Sequence, residues 1–135
     1  MRESPAIELL PLYRIRYIMG SEMDKPLVIL HGQIKSPPFS ADAGRWAGIL
    51  LRGLQRGRLL AMPDSRPMPV IGTHCHELRV RDSGSRVTWR LIYRVDSDAV
   101  VIADIFAKKT QKTPDEVIAR CQKRFQQYDR DRRQP

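Results

Sequence analysis

Cysteine and histidine are scarce in this sequence. Two cysteines, Cys75 and Cys121, and three histidines are spread over 135 residues. They form no CxxC and no His pair at ligand spacing, so the sequence implies no zinc site and no other cofactor. Two cysteines make no disulfide framework, and the default is a reducing, cytoplasmic setting. Long apolar runs are missing too: no window reaches the ~18 consecutive apolar residues of a spanning helix. The start, Met1-Arg2-Glu3-Ser4-Pro5, lacks an apolar core and a small-residue cleavage site, which argues against a secretory signal. Acidic residues are in the minority, 15 Asp plus Glu against 24 Lys plus Arg, for a net charge of +9. That balance favours polyanionic partners, either nucleic acid or an acidic protein.

The charge is unevenly placed. Residues 1–24 carry Arg2, Arg14 and Arg16 against Glu3, Glu8, Glu22 and Asp24, so 3 − 4 = −1 and the rest holds +10. These 24 residues show no clean period and contain Pro5 and Pro11. They read as an N-terminal extension, disordered or upstream of the true start, with Met19 and Met23 as alternative beginnings. A domain over 25–129 and a charged tail over 130–135 follow.

Within the domain, Pro26–Gly32 is a short apolar run closed by glycine, which predicts a strand. Ser36-Pro37-Pro38-Phe39 breaks the chain into a loop, and Ser40 is placed to cap a helix. Ala43, Trp46, Ala47, Leu50, Leu51 and Leu54 then recur at helical spacing and predict one buried face. Trp46 and Trp89 read as packing residues. Pro63, Pro67 and Pro69 predict an irregular connection over 61–72. Three strands follow, His74–Asp82, Arg86–Val95 and Ala99–Lys108, joined by links short enough for an antiparallel meander. Thr113-Pro114-Asp115-Glu116 predicts the start of a final helix, with Thr as cap and Glu three residues on. The expected order is β-α-β-β-β-α, an α+β domain whose small, mainly antiparallel sheet is packed by helices on one face.

Strand alternation sorts the side chains. Cys75, Glu77, Arg79 and Arg81 fall on one face of their strand, and Thr88, Arg90, Ile92 and Arg94 on the matching face of the next. Arg79, Arg81, Arg90 and Arg94 are therefore expected to form a positive sheet surface, with Lys108, Lys109 and Lys112 at its rim. Guanidinium forks suit phosphate oxygens, although a solvated charged face would produce the same pattern. His76 falls on the opposite face with Leu78, either as a structural histidine or as an RNA contact. His74 carries the same ambiguity.

These residues carry a family resemblance. His76-Glu77-Leu78-Arg79-Val80-Arg81 and Trp89-Arg90-Leu91-Ile92-Tyr93-Arg94-Val95 resemble the central strands of RelE-superfamily toxins. Phe106-Ala107-Lys108-Lys109-Thr110-Gln111-Lys112-Thr113-Pro114 resembles the closing motif of the phage-derived, HigB-like branch. The stretches from Leu30 to Ser40 and from Met62 to Pro69 fit the same branch, and the likeness spans roughly 25–129. It implies a RelE-like fold and a toxin of a type II toxin–antitoxin system. The implied activity is ribosome-dependent, metal-independent cleavage of mRNA by attack of the ribose 2′-OH on the adjacent phosphate. The implied partners are a helix-turn-helix antitoxin, the ribosome and mRNA, with no membrane and no small-molecule cofactor.

Residue by residue, the resemblance assigns Arg79, Arg90, Lys108 and Lys109 to catalysis; Arg81, Arg94 and Lys112 of the positive surface, with His76, are the RNA-binding candidates. Arginine stays protonated at neutral pH, which suits charge stabilisation rather than base catalysis. One departure is clear: the tyrosine that the RelE archetype carries near its last helix has no counterpart around Lys112-Thr113-Pro114-Asp115. That departure keeps two other functions open, a ParE-like poison of DNA gyrase and an inactive phage-derived module that binds RNA or antitoxin.

Overall fold

The computed structural model describes residues 13–16, 24–30, 39–84, 86–108 and 113–133, with backbone only for 13–16 and Lys108. Among them are six strands and two helices. The strands are β1 (Tyr13–Arg16), β2 (Leu27–Leu30), β3 (Ser65–Pro67), β4 (Cys75–Asp82), β5 (Val87–Val95) and β6 (Val100–Lys108). The helices are α1 (Ala41–Gln55) and α2 (Asp115–Arg133). One sheet holds all the strands in the order β1-β2-β6-β5-β4-β3.

The expected meander is β4, β5 and β6, each antiparallel to the next. The sheet as a whole is mixed, because β2 runs parallel to β6. Two strands lie where none was expected. β1 comes from the N-terminal stretch and runs antiparallel to β2, with Tyr13 opposite Leu30 and Arg16 opposite Leu27. β3 comes from the proline-rich connection and pairs with β4, Arg66 opposite Glu77. Pro67 ends this edge strand, where a missing N–H costs least.

The helices pack on opposite faces, which corrects the expectation of one covered face. On one side, Ala43, Ala47, Leu50 and Leu54 of α1 meet Leu78, Val80, Leu91 and Tyr93. On the other, Val117, Cys121, Phe125 and Tyr128 of α2 meet Cys75, Ile92, Val101 and Ala103. The physical reason lies in β5 and β6. Both faces of these strands are apolar over part of their length, so both need cover. Each fully buried Leu or Val adds roughly 1.5–3 kcal/mol of apolar transfer. A bulge between Ile92 and Tyr93 leaves Ala103 without a partner and turns Ala103 and Asp104 toward α2 together.

Ser40 caps α1 as expected, its Oγ accepting from the Ala43 amide at 3.2 Å. The start of α1 is also tied to the sheet: buried Asp82 accepts from the Ser40 amide at 2.9 Å and from Trp89 Nε1 at 3.1 Å. Trp89 is buried, but Trp46 is 43% exposed, which corrects its reading as a packing residue. At 100° per residue Trp46 sits about 60° round from Ala43, at the margin of the buried stripe. No helix among the described residues is long and apolar enough to cross a membrane.

Candidate functional site

The β4–β5 ladder sets Arg79 opposite Arg90 and Arg81 opposite Thr88, with Glu77 one step away, opposite Ile92. All five polar residues share the face that α2 covers farther along. α2 stops short of them, because it begins at Asp115 and runs over the Cys75–Ile92 end of the sheet. The arginines are thus left beside an open pocket.

Glu77 lies at the centre and is fully buried. Its Oε1 is 3.1 Å from Arg66 Nε, 3.4 Å from Arg90 Nη1 and 3.7 Å from Arg79 Nε. Its Oε2 accepts a 2.6 Å hydrogen bond from the Thr113 hydroxyl, and that hydroxyl also accepts from Arg66 Nη2 at 3.3 Å. Thr113, expected as a helix cap, therefore links the entry of α2 to the sheet. The first turn of α2 closes on the Pro114 carbonyl, which accepts from the Val117 and Ile118 amides.

A pocket of about 340 Å³ opens beside this cluster, lined by Trp46, Pro63, Asp64, Arg79, Arg81, Thr88 and Arg90. Its lining holds three guanidinium groups against one carboxylate, 3 − 1 = +2. The Arg90 side chain is only 7% exposed, and burial lowers its pKa. Glu77 opposes that shift, and the like charges of Arg79 and Arg66 add to it. Arg79 Nε lies 3.7 Å from Glu77 Oε1, so the carboxylate that anchors the cluster holds this arginine as well. Guanidinium groups that line such a pocket suit phosphate oxygens and can neutralise charge that grows in a transition state.

The structure brings Arg79, Arg81 and Arg90 together at this pocket. It does not bring Arg94 or His76. Arg94 points at α2 and donates to Asp96 at 2.7 Å and to Asp129 at 2.7 Å, with its guanidinium 4.8 Å from the Phe125 ring centre. These contacts tie β5 to α2. His76 stacks on Tyr93 at 5.2 Å on the opposite face, its Nδ1 3.1 Å from the His74 carbonyl oxygen. Tyr93 itself is core: it is buried, its hydroxyl lies 2.6 Å from Ser65 Oγ, and burial raises its pKa. Lys108 ends β6 with its backbone opposite Thr88, at the pocket's edge. Lys109 and Lys112 lie outside the described residues.

Sequence reasoning missed Arg66, Thr113 and Trp46 as parts of the site, and missed Glu77 as its anchor. For Glu77 the signal was present, since alternation already placed it on the face of Arg79. The other three depended on β3, on the approach of α2 and on the exact turn of α1. Among the described residues no group of three or more His, Cys, Asp or Glu side chains is arranged to hold a metal.

Residues 38–126 match the family model described as phage-derived protein Gp49-like (DUF891). No curated protein and no solved structure matches the chain.

Proposed function

From the premise that the chain belongs to the phage-derived Gp49-like family (DUF891), a RelE/ParE-like toxin family of toxin–antitoxin systems, we propose that it is a ribosome-dependent mRNA endonuclease. The observation that carries this reading is the Arg79–Arg90 pair, set in register on β4 and β5, held by buried Glu77 and lining a cationic pocket.

In this mechanism the scissile phosphate sits between Arg79 and Arg90. The 2′-OH of the preceding ribose attacks phosphorus as its proton passes to water, the P–O5′ bond breaks and the 5′-oxygen takes a proton from water, and a 2′,3′-cyclic phosphate results. The two guanidinium groups stabilise the extra negative charge of the phosphorane, a contribution that commonly amounts to ~10²–10³ in rate per donor. Arg81 holds a neighbouring phosphate, and Lys108, Lys109 and Lys112 extend the basic track. Glu77, Arg66 and Thr113 keep the arginines in place. Arg94 and His76 drop out of the RNA-binding set, because their side chains are engaged elsewhere. The partners in this reading are the ribosome, mRNA and a helix-turn-helix antitoxin encoded beside the toxin. The setting in this reading is the cytoplasm, and the activity is of the HigB-like kind.

The test is controlled expression of the wild type and an Arg79→Gln/Arg90→Gln variant, followed by mapping of new 5′ ends on cellular messages. Cuts confined to translated messages and to the wild type are expected. Growth arrest with intact messages and a DNA-damage response would move the protein to the gyrase-poisoning class. Harmless expression of a folded wild type that still binds its antitoxin would leave a binding module.

A further inference from the structure

Among the described residues Trp46 is the one large aromatic side chain of the pocket lining, and it stands on the outer margin of α1 with 43% of its surface exposed. α1 does not need it for packing: Ala43, Ala47, Leu50 and Leu54 cover the sheet without it. The same pocket is lined by Arg79, Arg81 and Arg90, with Thr88 of β5 opposite Arg81, and by Asp64. The lining therefore combines an aromatic ring and a proline with three guanidinium groups that outnumber its one carboxylate. The volume of about 340 Å³ lies in the ~300–1,000 Å³ range of small-ligand sites.

We propose that this pocket is a single-nucleotide subsite in which one unpaired base stacks on the Trp46 indole while its phosphates lie on Arg79, Arg81 and Arg90. The proposal rests on the reading that the basic pocket takes RNA. A nucleotide within RNA has the same two chemistries as the lining: a flat π face on its base and an anionic phosphodiester on either side of its sugar. Single-stranded RNA is bound in this way because every base offers a stacking face and aromatic side chains supply the other half. An acidic peptide would use the arginines without needing the ring. Two tethers, one on the base and one on the phosphate, fix the sugar between them, which is what an in-line attack by the 2′-OH requires. Trp46 is thus a positioning residue, acting on the base rather than on the reacting atoms.

The probes are a six-nucleotide single-stranded RNA and an abasic oligomer of the same length, which keeps the phosphates and lacks the bases. Binding to the isolated toxin is followed by anisotropy, and Trp fluorescence by titration. The wild type is expected to bind the RNA more tightly than the abasic oligomer, with quenching of the exposed indole. Trp46→Leu is expected to lose about 5- to 100-fold in RNA affinity, to bind the abasic oligomer as before, and to lose the quench. Trp46→Phe keeps a π face and should recover most of the affinity. Because Trp46 is exposed, neither variant should disturb the fold, and circular dichroism checks this.

If Trp46→Leu binds both oligomers like the wild type, or weakens both equally, the subsite is wrong. If base-dependent binding through Trp46 is found but translated messages stay uncut, the subsite stands and the nuclease reading falls. If messages are cut at the same positions and rates by the wild type and Trp46→Leu, the nuclease reading stands and the subsite falls.

Discussion

Arg79 and Arg90 stand directly opposite each other on β4 and β5, two like charges in register on one face of the sheet. Such a cross-strand pair is destabilising by itself. Glu77 makes it tolerable, lying 3.7 Å from Arg79 and 3.4 Å from Arg90 while also meeting Arg66. The arrangement stores unfavourable charge where a phosphate would relieve it, and it separates the residues that stabilise the fold from those that serve the chemistry.

Glu77→Gln removes the carboxylate and leaves three guanidinium groups facing one another. Breaking a buried ion pair from one side typically costs about 3–5 kcal/mol, so this variant should unfold at clearly lower urea concentration. Arg90→Met removes one of the repelling charges and fills its space with an apolar chain. Its stability should stay within about 1.5 kcal/mol of the wild type, while message cleavage and growth arrest are lost. Equal destabilisation by the two substitutions would contradict the division of roles.

Arg94 has an expected effect of the opposite kind. It joins β5 to α2 through Asp96 and Asp129 and lies over the Phe125 and Tyr128 rings. The pair is only partly buried, since Asp129 is 42% exposed, so the cost of Arg94→Gln is set at about 1–3 kcal/mol, below that of a fully buried pair. Denaturant melts should show this loss. RNA binding by the folded fraction should not change, and a drop in that affinity would return Arg94 to the binding surface.

How far these features were legible in the sequence depends on the range of the interactions that fix them. Alternation and helical spacing are local, and they place β4, β5, β6 and the starts of α1 and α2 to within a residue or two, although α2 runs on to Arg133, into the stretch read as a charged tail. The shared face of Glu77, Arg79 and Arg90 follows from the same rule. What distinguishes Arg94 from Arg90 is not local, because both sit on that face of β5. α2 covers one and leaves the other open, and Asp129 that binds Arg94 is 35 residues away. β1 and β3 are short strands of three or four residues, recruited by a free sheet edge rather than by their own pattern. Trp46 fits the apolar stripe of α1 by spacing, yet the stripe is wider than the sheet it covers.

Alkaline conditions should weaken the fold in a defined window. Burial pushes the Cys75 thiol up to about 11 and the Cys121 thiol up to about 12. An unfolded thiol ionises near ~8.5, so above that pH the unfolded chain releases protons that the folded chain keeps. Stability is therefore full below about pH 8.5 and is lost as pH rises toward the folded values. Burial raises Tyr93 and Tyr128 as well, which act in the same direction at higher pH. Urea midpoints should fall between pH 8 and 10, and Cys75→Ala/Cys121→Ala should flatten that slope whatever its effect on stability at pH 7. An unchanged slope in the double variant would assign the alkaline loss to other groups.

Salt dependence tests how many of the arginines meet phosphate. Each phosphate neutralised on a single strand contributes about −0.7 to the slope of log affinity against log salt. With one phosphate between Arg79 and Arg90 and a neighbouring one on Arg81, their combined share of the slope should be about −1.4. Arg79→Gln/Arg90→Gln should make the slope shallower by about 0.7, and Arg81→Gln alone by about 0.7. Trp46→Leu should lower the affinity and leave the slope unchanged, because stacking releases no counterions. A Trp46 variant that altered the slope would mean that the ring orders the arginines rather than the base, and an arginine variant that left it unaltered would remove that side chain from the phosphate path.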